Sequence, residues 1–215
     1  MFIKLMVLCF LSLQAFGEKK DLRLIKEAFD SYWSSELVSM DVERENTYSL
    51  LDKTETSKGK MYFSKGQLRL NMHDPKPSHL VIGEDVIWFA EKSDFEKDKW
   101  VVVKVAKDKA KRAQAFFNLL FGNTGVTKKL ELIGNNKVKD FESYILKPKN
   151  ASEFPGVTKL AIIFHQKTKE VMFLQYWDDL ENKTSYELTN IERKEKSDKS
   201  LFKYTPPKNS DVTVY

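Results

Sequence analysis

The chain has 215 residues, with 36 Lys and Arg against 31 Asp and Glu, a formal charge of +5, three histidines and one cysteine. That length is ample for one domain and tight for two. A single thiol excludes an internal disulfide and a cysteine-held metal, and lysines scattered among acids describe a solvated surface, not a nucleic-acid stripe.

The first residues read as an export signal. Lys4 supplies a short positive region, Leu5 to Leu13 form an uncharged apolar core, and Ala15-Phe16-Gly17 places small residues at −3 and −1 before Glu18-Lys19-Lys20. The core is too short to span a bilayer. Cleavage after Gly17 is expected, which removes Cys9 and leaves 198 of the 215 residues as one domain over 18–215. Val7-Leu8 precede Cys9 where an acylation box would carry small residues, so an anchored lipoprotein is disfavoured.

The next segment is an amphipathic helix, because Leu22, Ile25, Phe29 and Tyr32-Trp33 recur at intervals of three and four. Beyond Leu37 the period falls to two. Met40 and Val42, Met61 and Phe63, then Leu68, Leu70 and Met72 mark strands with one apolar face. His73 to Ser78, with two prolines, is a turn, and Gly83-Glu84-Asp85 joins Leu80–Ile82 to Val86–Phe89 as a hairpin. Trp100–Val103 is a further strand. A helix is expected from about Asp108 to Phe121, closed by Gly122-Asn123, with Ala113, Phe116, Phe117, Leu120 and Phe121 crowding one side. Strands resume at Lys129–Ile133, Phe141–Leu146, Lys159–His165, Val171–Trp177 and Ser185–Glu192, with Gly134–Lys137 and Gln166–Lys169 as turns. The pattern is mostly β with helices: roughly eleven strands in one antiparallel sheet, curled or closed.

Catalytic patterns are missing. There is no Gly-x-Ser-x-Gly elbow, no phosphate loop and no His-Glu-x-x-His, and His73, His79 and His165 lack ligand spacing. Asp178-Asp179 reads as a hairpin turn. No enzyme activity, metal or cofactor is expected. The helix carrying Phe116–Phe121 has more large apolar residues than one contact stripe needs, which suits a cover over a cavity for acyl chains, where each buried methylene contributes about 0.8 kcal/mol.

The order of these elements resembles the LolA family of periplasmic outer-membrane lipoprotein carriers. The likeness lies in Gly59-Lys60-Met61-Tyr62-Phe63-Ser64-Lys65 leading to Leu68-Arg69-Leu70, in Leu80 to Phe89, in Phe117 to Asn123, and in Phe202-Lys203-Tyr204-Thr205-Pro206-Pro207 with Asp211-Val212. Tyr144 to Lys149 is a weaker fifth match. The resemblance implies an incomplete antiparallel β-barrel closed by a helical lid over an apolar cavity. It further implies acylated lipoproteins as cargo, an inner-membrane releasing transporter and an outer-membrane receptor as partners, and a monomer working in the periplasm. Its acyl-chain cavity would be lined by Leu68, Leu70, Trp88, Phe117, Leu120 and Phe121. The family's lid lock, usually arginine followed by proline, falls on Lys65-Gly66, so both residues are replaced and a looser lid is expected. Other periplasmic lipid-binding or envelope-sensing proteins of this fold, or a hydrolase of unrecognised type, are the alternatives.

Overall fold

A computed structural model describes residues 22–96, 98–110, 126–196 and 198–215. The expected leader over 1–17 lies outside them, as do Phe116, Phe117, Leu120 and Phe121 of the expected lid helix. Asp108 to Ala110 are described, and there the chain leaves its strand in a turn, with the Lys109 and Ala110 N–H groups donating to Ala106 O at 3.0 and 3.2 Å.

The architecture is an open sheet with a helix in its concave face. Helix α1 (Arg23–Ser34) is followed by β1 (Leu37–Tyr48), β2 (Lys53–Ser64), β3 (Gln67–Asp74), β4 (Ser78–Ile82), β5 (Val86–Lys92) and β6 (Trp100–Ala106). The short helix α2 (Val126–Lys129) leads into β7 (Leu130–Val138), β8 (Phe141–Pro148), β9 (Lys159–His165), β10 (Val171–Trp177), β11 (Lys183–Lys194) and finally β12 (Ser210–Val214). All twelve strands form one sheet in the order β12-β6-β5-β4-β3-β2-β1-β11-β10-β9-β8-β7. The edge strands β7 and β12 do not meet, so the barrel is incomplete. Every neighbouring pair is antiparallel except β12 on β6. That parallel edge strand brings the count to twelve, where about eleven were expected.

The period-two reading of the sequence maps onto the two faces. Leu68, Leu70 and Met72 of β3 point to the concave side with Met40 and Val42 of β1 and Met61 and Phe63 of β2, and all are buried. Helix α1 lays Ile25, Ala28, Phe29 and Tyr32, a spacing of three and four, onto this face. It occupies one end of the concavity, where its Trp33 meets Phe63 edge-on at 5.5 Å. Lys65 and Gly66 are the two central residues of the β2–β3 hairpin, at φ 37° and 89°, the backbone of a type I′ turn.

One expected turn is displaced. Gly134 to Lys137 belong to strand β7, which runs to Val138, and the chain reverses at Lys139, whose φ is 52°. A register shift at Gly134 lets the edge strand carry polar residues on into solvent, so composition alone marked a turn where a bulge stands.

The convex face of β3–β5 is crossed by the segment before β12. Arg69 donates from Nη1 to Leu201 O at 3.0 Å, Phe202 is buried, and the Tyr204 ring lies 5.6 Å from Trp88 and 5.8 Å from His79. The Phe202-x-Tyr204-x-Pro-Pro pattern is thus a strap over the back of the sheet.

Candidate functional site

Helix α1 covers one end of the concave face. Toward the other end lies a cavity of about 470 Å³, within the usual range of about 300–1,000 Å³ for small-molecule sites. One wall comes from β3 to β6, through Leu70, Met72, Leu80, Phe89, Val101 and Val103. The facing wall comes from Arg44 of β1, Tyr186 of β11, Tyr176 of β10 and Val157 of the β8–β9 connection. The lining is apolar over most of its area, yet it is not collapsed: Phe89 and Val101 remain 38% and 42% exposed. Large apolar side chains left open inside a concavity are the mark of a binding surface and not of a filled core.

Strand register explains which residues arrive there. Leu70 pairs with Leu80, Leu80 with Phe89 and Phe89 with Val103, so one inward row crosses four strands. The register also separates two of the expected cavity residues from a third. Leu68 aligns with Ile82 and Ile87 in the buried core beside α1, and Leu70 lines the cavity. Trp88 aligns with Val81 and Arg69 on the convex face, where Lys104 Nζ stands 5.3 Å from its ring centroid. The expectation that grouped Trp88 with Leu68 and Leu70 is corrected. Four consecutive apolar residues, Val86 to Phe89, hid the alternation that assigns faces.

Lys65, the expected lock, is largely exposed at its hairpin tip, and its ammonium pairs with the Glu36 carboxylate. The neighbouring Gly66 carbonyl accepts from Lys107 Nζ at 3.4 Å, and Gly83 O accepts from the same ammonium at 3.1 Å. Phe117, Leu120 and Phe121 lie outside the described residues.

The polar members of the lining form a linked set. Arg44 donates from Nε to Ser57 Oγ at 3.1 Å, and it shares a hydrogen bond with the Tyr186 hydroxyl, which also bonds Tyr176. Burial raises the Tyr186 phenol well above its ordinary range, so it stays neutral. Sequence reasoning missed Arg44. Its signal was present, because Arg44 continues the inward parity of Met40 and Val42, and a cation on an apolar stripe stands out.

The histidines and acids take structural places. His79 stacks on Trp100 at 5.1 Å and bonds Asn71, with its pKa lowered by burial and by Arg69. Asp178 accepts the N–H groups of Leu180 and Asn182, both at 2.9 Å, as the carboxylate of a turn does. Among the described residues no cluster of metal-ligating side chains occurs, and no helix is long and apolar enough to cross a membrane.

The sequence of this sheet matches the family model of the outer membrane lipoprotein carrier protein LolA over residues 38–205. The chain belongs to the LolA family. No curated protein matches its sequence. Among solved structures, an uncharacterized conserved protein from Thermus thermophilus is similar at a TM-score of 0.52 and 12% identity, covering 90% of this chain and 98% of that one. A LolA superfamily protein from Nitrosomonas europaea gives 0.45 and 9% identity, over 85% and 96% of the two chains. Lipoprotein LppX from Mycobacterium tuberculosis gives 0.44 and 11%, over 79% and 93%. At such identities the likeness speaks to the fold alone, and of these three the first structure carries it.

Proposed function

We propose that this LolA-family chain is a periplasmic carrier that takes the acyl chains of lipoproteins into its concave cavity and moves them from the inner to the outer membrane. The observation that carries this reading is the row Leu70, Leu80, Phe89 and Val103, apolar side chains that line a cavity of about 470 Å³ in which Phe89 stays exposed. A filled core would have buried Phe89, a large apolar side chain left open to the cavity. Instead the lining offers hydrocarbon contact, with about 0.8 kcal/mol gained per methylene withdrawn from water. The reading includes cleavage after Gly17, a single carrier domain over 18–215, a monomer, and handover between an inner-membrane transporter and an outer-membrane receptor.

Titration of the purified chain with a dansylated fatty acid tests it. Saturable binding with blue-shifted emission is expected, and Val103→Trp, which fills the cavity from one wall, should abolish it at an unchanged melting temperature. Binding that survives Val103→Trp places the lipid elsewhere. Lipoproteins copurifying with the exported chain would then identify the cargo by mass spectrometry.

A further inference from the structure

Among the described residues, the cavity's lining contains one guanidinium, that of Arg44, and one carboxylate, that of Glu91. Arg44 sits at the same register as Ser57 on β2 and Tyr186 on β11, so three adjacent strands converge on it from the concave side. Its Nε–H goes to Ser57 Oγ and a further bond joins it to the Tyr186 hydroxyl, both neutral partners. The Glu55 carboxylate feels the Arg44 charge, which helps hold its pKa below the usual value, behind the larger effect of Lys53. Glu91, on the opposite wall, is exposed and stands 3.9 Å from Lys76. Glu55, two residues from Ser57 on the same face of β2, pairs with Lys53 at 2.6 Å.

A half-buried guanidinium whose hydrogen bonds go to neutral groups, and whose nearby carboxylate Glu55 is itself paired with Lys53, keeps the capacity to hold an anion. The fork has five N–H donors in a fixed plane, matched to two oxygens of a carboxylate or phosphate. Ser57 and Tyr186 hold that fork in place, leaving the rest of it to the cavity it lines. The apolar wall of Leu70, Leu80, Phe89 and Val103 lies across the same space.

We propose that the cavity takes an amphiphile with an oxyanionic head, with Arg44 binding the head and the row from Leu70 to Val103 binding the chain. This rests on the lipid-binding reading of the same cavity and goes beyond it to a free anionic amphiphile, since the ester- and amide-linked acyl chains of a lipoprotein carry no such head. The head is a carboxylate or a phosphate monoester, which present the same two oxygens to the fork.

Displacement of a neutral fluorescent acyl probe from the full chain tests the proposal, with hexadecanoate, hexadecyl phosphate and hexadecanol as competitors. The anionic competitors should bind about tenfold to a hundredfold more tightly than hexadecanol, the range of one hydrogen bond to a charged group. The tighter of the two anions identifies the head. Arg44→Gln should bring all three competitors to the hexadecanol affinity while leaving hexadecanol itself unchanged. Arg44→Lys, which keeps the charge, should retain part of the preference and guards against a Gln variant that fails to fold. Equal affinities for anion and alcohol in the native chain would overturn the role of Arg44 and leave the apolar cavity standing. Failure of every competitor, together with failure of the probe to bind, would overturn the carrier reading itself.

Discussion

The hydroxyl oxygen of Tyr32 accepts the backbone N–H of Val171 at 3.1 Å, joining the N-terminal helix to the first residue of a strand 139 positions away. Both groups are buried, and the Arg193 guanidinium lies over the phenol ring at 5.3 Å. Phenylalanine at 32 would keep the ring and orphan the Val171 N–H, at a cost of about 1–3 kcal/mol. Tyr32→Phe should therefore lower the melting temperature by roughly 2–4 °C for each kcal/mol in a chain of this size, measured by calorimetry at neutral pH.

The same pair sets a pH dependence. Burial is the largest cause raising the Tyr32 pKa from 10.0 to about 12. Below pH 10 the phenol is neutral in both folded and unfolded chains, so its contribution is fully present. Above pH 10 the unfolded chain ionises first, and stability falls until the folded phenol titrates near pH 12. The loss approaches about 3 kcal/mol from this residue. Alkaline melts of Tyr32→Phe against the native protein should converge between pH 10 and 12, and parallel curves would assign the alkaline sensitivity to other tyrosines.

Gly59 opens the strand pattern that marked the family, and its surroundings say why no side chain fits. A Cβ there would stand 2.2 Å from Asn71 O and 2.8 Å from the Met72 sulfur, at the register shift between β2 and β3. The carbonyl is backbone and cannot swing away. Gly59→Ala should cost about 3 kcal/mol, the upper end of overpacking. Gly134→Ala is the control: its Cβ meets Ile145 Cδ1 at 3.8 Å, an ordinary contact. That variant should match or exceed the native stability, by up to about 1 kcal/mol.

These particulars show what was legible in the sequence. Strict alternation at Leu68, Leu70 and Met72 announced one apolar face, and the helical spacing from Ile25 to Tyr32 announced the element that packs on it. Gly83 to Asp85 was legible as a hairpin turn between two apolar runs. Two things were hidden. In Val86 to Phe89 every residue is apolar, so only pairing across strands tells inside from outside. Arg44 was hidden for the opposite reason: a charge is ordinarily taken for solvent, and its inward parity gains meaning once Tyr186 and Ser57 are seen beside it.

Trp88 tests the assignment of faces. Its ring packs on Tyr204 at 5.6 Å on the convex side, behind the cavity. Trp88→Ala should leave the affinity for an acyl probe unchanged and lower stability by at least the roughly 0.5–1.5 kcal/mol of an aromatic pair. Limited proteolysis should then cut the strap near Tyr204 faster than in the native chain. A loss of probe binding without such a cut would return Trp88 to the ligand.

The family resemblance places a lid lock, usually arginine followed by proline, at Lys65-Gly66. A lid lock at this position needs a free donor, and the Lys65 ammonium is engaged by Glu36 at the hairpin tip. Both side chains are about half exposed, so their pair contributes about 0–1 kcal/mol and exchanges readily. Breaking it is therefore cheap, and Glu36→Gln should change the melting temperature little. If Lys65 closes the cavity as the family resemblance implies, freeing its ammonium should slow release of a bound acyl probe. Lys65→Arg should slow release further, by about tenfold, since a fork holds two carbonyls where an ammonium holds one. Gly66 sets the geometry in either case, because its φ of 89° suits glycine, and an added Cβ would lie 3.5 Å from Trp33. Gly66→Ala should lower stability by about 1–2 kcal/mol through the backbone alone. Stopped-flow release into acceptor vesicles separates the two roles. Unchanged rates in both Glu36→Gln and Lys65→Arg, beside a destabilised Gly66→Ala, would make Lys65-Gly66 a hairpin and nothing more.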